Sequence, residues 1–172
     1  KHLLMTEGLG VNNAGFGTPG RFSQVEAEKQ LAMLHVHMIA PVMLCRTVVP
    51  GMISRNHGAI INVSSFLGIV PKSSAPIYCA TKAALHAFSK SLRYQLQGTP
   101  VKVFEIITPL VDTDMTRGRE NDAGKISPDI LAREVLRNVE IDNYEIKPGR
   151  TKLVLFLNRV VPSLIQKAVG KR

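Results

Sequence analysis

The sequence predicts an α/β fold, a doubly wound parallel sheet that is incomplete in this chain. Three observations carry that expectation. Ala59-Ile60-Ile61-Asn62-Val63 and Val101-Lys102-Val103-Phe104-Glu105-Ile106-Ile107 are near-continuous apolar runs of the kind that parallel strands need when both faces are covered. Helical apolar patterns over about 24–52 and 75–97 alternate with them. At 172 residues and 45% hydrophobic content, the chain is long enough for one domain with a sizeable core.

The elements follow in order. Lys1 to Thr6 reads as a short apolar strand, followed by Gly8-Leu9-Gly10. Val11 and Asn12-Asn13-Ala14-Gly15 read as a strand running into a turn, where small residues and αL-tolerant asparagines let the backbone pass close to a ligand. Ser23 with Glu26 three residues on has the form of a capping box. The helix it opens carries Leu31, Leu34, Met38, Val42, Cys45 and Val49 as its apolar stripe. Pro41 removes the N–H partner of the His37 carbonyl and kinks that helix. Arg55-Asn56-His57-Gly58 turns the chain into the strand ending at Ser64-Ser65, and Pro71 and Pro76 break the loop beyond it.

Tyr78 and Lys82 lie one turn apart on the same face of the next helix, whose apolar positions continue through Leu85, Phe88, Leu92 and Leu96. An ammonium beside a phenol favours the phenolate, so such a tyrosine can exchange a proton with a carbonyl or alcohol oxygen. Ser65, thirteen residues before Tyr78, ends its strand with a hydroxyl able to hydrogen-bond the same oxygen. The strand 101–107 delivers Thr108-Pro109-Leu110-Val111-Asp112-Thr113 to its C-terminal end, where open α/β sheets bind ligands. Residues 114–126 are polar, Ser127-Pro128 start a helix, Tyr144 to Ile146 form a short strand, and Pro148-Gly149 turn the chain.

A tyrosine and a lysine four apart are weak evidence alone. Here Asn12-Asn13-Ala14-Gly15, Ser64-Ser65, Tyr78/Lys82 and Thr108-Pro109-(x)3-Thr113 occur in one order and at one spacing. That constellation resembles the short-chain dehydrogenase/reductase family from about Val11 to Met115. Asn13-Ala14-Gly15-Phe16-Gly17-Thr18 and Asn143-Tyr144-Glu145-Ile146 are most similar to its DltE-like oxidoreductases.

The resemblance implies one Rossmann-like domain over residues 1–172, with 1–10 a remnant of the first strand and glycine loop. About 11–115 would then be the catalytic half, and 116–172 the substrate loop and C-terminal helices. It implies a nicotinamide cofactor, NAD or NADP, and a small-molecule carbonyl or secondary alcohol as substrate. Tyr78 would be the acid–base, Lys82 its electrostatic tuner and ribose anchor, and Ser65 the orienting hydrogen-bonder. His37 stands where the family usually has an asparagine whose backbone carbonyl holds a water; Pro41 would leave that carbonyl free, and the side chain reads either as a partly buried helix residue or as a group that tunes the site, since histidine ordinarily titrates near neutrality. Asn12, Ala14, Gly15, Tyr78, Lys82, Pro109, Val111 and Thr113 would face the cofactor, with Leu110 where the family more often has glycine. A homo-oligomer, dimer or tetramer, is implied through the helices 24–52 and 75–97, whose outward apolar residues are read as Met33, Leu44, Leu85, Phe88 and Leu92.

The N-terminal order departs from the family. Two strand–helix crossovers, roughly 60–80 residues, are expected between the strand 1–6 and Val11. Either the chain carries a deletion there, or separate stretches of a longer chain meet across a gap. The gap is preferred, because removing adjacent strands exposes long sheet edges. It would leave Thr6 and Asn12 at adjacent strand ends.

Composition narrows the partners. The formal charge of +9 raises nucleic acid, anionic lipid and phosphorylated ligands. The bases are spread through helices without interleaved aromatics, which argues against nucleic acid. Cys45 and Cys79 lack metal-ligand spacing and read as reduced core thiols, consistent with a cytoplasmic protein and no metal site. No signal peptide is expected, and the apolar run 153–165 is too interrupted to span a membrane. That basic tail carries the stripe Leu153, Leu157, Val160, Val161, Leu164 and Ile165, expected to pack on its own domain or on a subunit partner rather than on a membrane surface. The missing glycine loop, His37 and Leu110 keep open a catalytically silent member that binds a ligand or partner through the same fold.

Overall fold

The computed structural model describes residues 5–6, 8–18, 20–116 and 125–170. One five-stranded sheet runs in the order β1 (Met5–Thr6), β2 (Leu9–Asn12), β3 (Gly58–Ser65), β4 (Val101–Thr108), β5 (Glu145–Ile146). The pairs from β2 to β5 are parallel, as the apolar runs predict, with Asn12 opposite Asn62 and Ser65 opposite Thr108. The helices are α1 (Ala27–Leu34), α2 (Ala40–Ser54), α3 (Pro76–Gln95), α4 (Pro128–Glu140), α5 (Thr151–Val160) and α6 (Pro162–Gly170).

The first strand corrects two expectations. β1 lies beside β2 but antiparallel, with Met5 opposite Gly10 and Thr6 opposite Leu9. Two residues separate Thr6 from Leu9, and a parallel pair needs a crossover of a dozen or more. Only a hairpin closes that link. Thr6 and Asn12 therefore sit at opposite ends of the pair, not at adjacent strand ends. Gly8 takes the left-handed turn position at φ +103°, and Gly10 lies inside β2. Neither opens a helix, so they do not form the expected remnant of a phosphate loop. Most of the strand expected over residues 1–6 lies outside the described residues.

Two layers cover the sheet. Cys45 and Met52 of α2, with Phe88, Leu92 and Leu96 of α3 and its C-terminal end, pack on Ile60, Val101 and Val103. Leu131, Val135 and Val139 of α4 pack on Ile61, Phe104, Ile106 and Ile146 from the opposite side. Alternate residues of β3 and β4 thus serve opposite layers, as strand pleating requires. Each large side chain buried there stabilises the fold by roughly 1.5–3 kcal/mol.

The long helix departs from its predicted stripe. It starts at Ala27 without a side-chain N-cap: Ser23 lies within a single helical turn (Phe22–Gln24), and the Gln30 amide donates to the Phe22 and Val25 carbonyls. A widened π turn over His35–Ile39, with the Ala40 N–H reaching back to the His35 carbonyl, precedes Pro41. One inserted residue slips the helical phase. The buried positions accordingly run Met33, His37, Pro41, Cys45, Met52, while Leu31 and Leu34 face outward. The outward face expected for self-association changes with it: Met33 and Leu85 are 1% exposed, and Phe88 and Leu92 sit on the sheet. The exposed apolar residues of α1, the π turn and α2 are Leu31, Leu34, Ile39, Met43 and Ile53. The stretch 27–54 is long and apolar enough to cross a membrane; its Cys45–Met52 side is core in this fold.

Ser127 caps α4 through the Ile130 N–H, with Pro128 at its first position, as predicted. The C-terminal stripe, expected to pack on its own domain or on a subunit partner, is divided: Leu157 and Ile165 are half-buried, and the rest face outward. Leu153, Val160 and Leu164 are 56%, 60% and 64% exposed.

Candidate active site

The C-terminal ends of β2, β3 and β4 open into a cleft of about 450 Å3, a size suited to a small organic ligand. Asn13, Gly15 and Gly17 line one wall, Ser65, Tyr78 and Lys82 the floor beside α3, and Pro109, Val111 and Thr113 the opposite wall. Leu67, Leu110, Met115, Leu131 and Val135 make it largely apolar.

Lys82 is 6% exposed, and its Nζ donates to the Val63 carbonyl at 2.8 Å. The same nitrogen lies 5.7 Å from the centroid of the Tyr78 ring. Burial lowers the Lys82 pKa to about 8, so it is still mainly cationic at neutral pH. Ser65, also buried, accepts the Leu67 N–H at 3.2 Å, the bond that starts a short turn over Phe66–Gly68. Gly68 is required there: a Cβ would come within 2.7 Å of the Lys82 carbonyl carbon. The chain after Ser65 is thereby laid directly on α3 at Lys82.

The His37 side chain is built into the wall of the site. It is 1% exposed, and its Nε2 accepts the Phe16 N–H at 3.0 Å, which leaves the proton on Nδ1. Nδ1–H then donates to Thr81 Oγ1 at 3.0 Å, and the Thr81 hydroxyl donates to the Tyr78 carbonyl at 2.8 Å. The ring stands edge-on to both Phe16 and Tyr78, at centroid distances of 5.7 and 5.5 Å. Burial first, and then the Lys82 charge, lowers its pKa to about 3. His37 is thus a neutral strut joining the 13–17 loop to the first turn of α3, not a group titrating near neutrality. Gly15 passes close over it, where a Cβ would meet Nε2 at 3.1 Å.

The remaining predicted positions divide. Gly15, Pro109, Val111 and Thr113 line the cleft with Tyr78, Lys82 and Ser65. The Asn12 amide instead donates beneath the sheet end to Asn62 Oδ1 at 2.6 Å and to Cys45 Sγ at 3.8 Å, and Ala14 points to solvent. Asn13 takes the lining place beside Gly15. Leu110 is accommodated by pairing: its carbonyl accepts the Ile126 N–H, and the Asp112 N–H donates to the Ile126 carbonyl. Most of the expected mobile loop, 117–124, lies outside the described residues.

Sequence reasoning passed over a buried polar group next to the site. Glu105, 0% exposed on β4, accepts the Ser64 hydroxyl and lies 2.8 Å from His86 Nδ1. The Glu105 hydrogen bond is the largest influence on His86 and raises its pKa. Thr108 Oγ1 donates to the Ser64 carbonyl at 2.9 Å. The signal was available, since His86 follows Lys82 by one further turn and Glu105 interrupts an apolar strand.

A family model described as short chain dehydrogenase matches residues 5–124. The uncharacterized oxidoreductase DltE of Bacillus subtilis (strain 168) is 35% identical over 129 residues, covering 74% of this chain and 51% of that protein. Carbonyl reductase family member 4 of Danio rerio is 30% identical over 118 residues, covering 69% and 49%. The chain spans about half the length of these curated relatives. A short chain dehydrogenase from Burkholderia cenocepacia J2315, in complex with NADP, superposes with a TM-score of 0.85 at 24% identity, covering 96% of this chain and 69% of the other. At that identity the likeness establishes the fold.

Proposed function

The chain belongs to the short-chain dehydrogenase family, and on that premise we propose that the whole protein is a nicotinamide-dependent oxidoreductase interconverting a carbonyl and a secondary alcohol. The observation that carries this reading is the buried Lys82 held by the Val63 carbonyl beside the Tyr78 ring, on the floor of a cleft that Ser65 shares.

Tyr78 holds the exchanging proton. In reduction its hydroxyl protonates the oxygen of the substrate, and a positive charge at Lys82 stabilises the phenolate left behind. Ser65 orients that oxygen by hydrogen bonding. The cofactor supplies the hydride, and the protein supplies orientation and electrostatics. The residues of this chain fit the nicotinamide–ribose end of such a group, with Gly15, Pro109, Val111 and Thr113 as walls and Lys82 as a buried donor. They do not fit its pyrophosphate end, because Gly8 and Gly10 sit in a hairpin and not at a helix N-terminus. NADP, named with the Burkholderia structure, is the form to try first, then NAD.

In the same reading the protein is cytoplasmic, in keeping with two buried unpaired thiols, and it pairs with a second copy across Leu31, Leu34, Ile39 and Met43.

The test is Tyr78→Phe in the full-length protein, assayed with NADPH or NADH and a panel of ketones and aldehydes. The phenyl ring keeps the edge contact with His37, so thermal stability should stay close to that of the parent. Turnover should fall at least 100-fold, the scale of a lost general acid. A Tyr78→Phe protein that still turns over would overturn the assignment. Absence of cofactor binding by calorimetry would favour the catalytically silent reading.

A further inference from the structure

The C-terminal pair α5–α6 presents an apolar ridge with one-sided charge. Leu153, Phe156 and Val160 project from α5 at helical spacing, and Leu164 is exposed in the first turn of α6 just beyond. All four are more than half exposed, Phe156 at 62%. Lys152 and Arg159, seven apart and each one residue before a ridge position, flank it on a single side. Arg150 and Lys167 lie at its two ends, also exposed. None of these four bases has an ion-pair partner among the described residues. Lys147 is different, paired with Glu145 at 2.9 Å. No acid occurs anywhere in residues 147–172.

Charge decides what covers the ridge. A second copy meeting it about a two-fold axis would add its own bases to the same seam with no carboxylate among them to offset the charge, which is unfavourable. The outward face of α1 and α2 is the opposite case, since Glu26, Glu28, Lys29 and Arg46 mix both signs around its apolar residues. A helix with exposed Leu and Phe on one face and lysine and arginine on its flank suits the boundary of an anionic bilayer, where apolar burial and lipid charge add.

We infer that the α5–α6 ridge is a membrane-surface site that seats Leu153, Phe156, Val160 and Leu164 among the acyl chains of an anionic leaflet, with Lys152 and Arg159 against its headgroups. The end of α6 beyond the ridge meets the loop beside the cleft. The Gly170 carbonyl at the end of α6 accepts the Ser73 N–H at 2.9 Å, and neighbouring Lys72 lines the cleft.

The test uses the full chain and vesicles of phosphatidylcholine with or without phosphatidylglycerol. The sequence has no tryptophan, so Phe156→Trp supplies a single reporter at an exposed position. Its emission should shift to the blue, and the protein should sediment, with the phosphatidylglycerol vesicles only. High salt should weaken both effects. Lys152→Gln with Arg159→Gln should weaken binding about 30-fold, from about 1 kcal/mol for each base at the surface. Phe156→Ser with Leu164→Ser, substitutions of exposed side chains checked for folding by circular dichroism, should abolish it. Equal binding to both vesicle types, or none to either, overturns the inference. So does a ridge variant that dissociates an oligomer in light scattering while lipid binding is unchanged. All of these readings are independent of turnover.

Discussion

Replacing His37 by glutamine tests the strut directly. Glutamine places an acceptor near the position of Nε2, so the Phe16 N–H keeps a partner, but it does not titrate. Losing the ring contacts and one hydrogen bond should cost about 1 kcal/mol at neutral pH. The larger effect is on pH dependence. Unfolded His37 takes up a proton near 6.5, while the folded group refuses it until about 3. A depressed folded pKa means that stability is present above about 6.5 and is lost as pH falls through the window down to about 3. Between pH 7.5 and 5.5 the parent should therefore lose about 1.4 kcal/mol that the variant keeps. With a urea slope of about 2 kcal/mol per molar, that is a relative midpoint shift of about 0.7 M. Other titrating groups are common to both proteins and cancel in the comparison. Parallel stability curves for the two over this range would refute the neutral-strut reading.

The Glu105 pair has the opposite sign. His86 has a raised pKa, so its contribution is fully present below about 6.5 and is lost as pH rises through the folded value. Glu105→Gln should flatten that dependence and destabilise by about 2 kcal/mol, the scale of a hydrogen bond to a charged group, read from denaturant midpoints at several pH values. Self-association is the other expectation: Ile39→Lys with Met43→Lys should convert any oligomer of the parent to monomer in light scattering. A parent that is monomeric at micromolar concentration would remove that proposal.

The apolar runs 59–63 and 101–107 were sufficient to identify two central parallel strands, because a strand covered on both faces has little room for polar residues. Ser127-Pro128 marked the start of α4 by local capping chemistry alone. Order and spacing brought Ser65, Tyr78, Lys82, Gly15 and Thr113 to one cleft, since Gly15, Ser65 and Thr113 end or follow strands and Tyr78 and Lys82 lie in the first two turns of α3. Those determinants are local.

What remained depended on backbone geometry and packing that an apolar pattern does not record. Periodicity cannot see an inserted helical residue, so the π turn before Pro41 moved Leu31 and Leu34 outward and Met33 and His37 inward. The role of His37 needed Phe16, Thr81 and Lys82 around it, because desolvation and a nearby cation together determine whether an imidazole can hold a second proton. The direction of β1 followed from chain closure over two residues rather than from the composition of the strand. Whether the basic tail packed inward or faced out was a matter of tertiary placement, since an amphipathic stripe records only that one side is apolar, and not what lies against it.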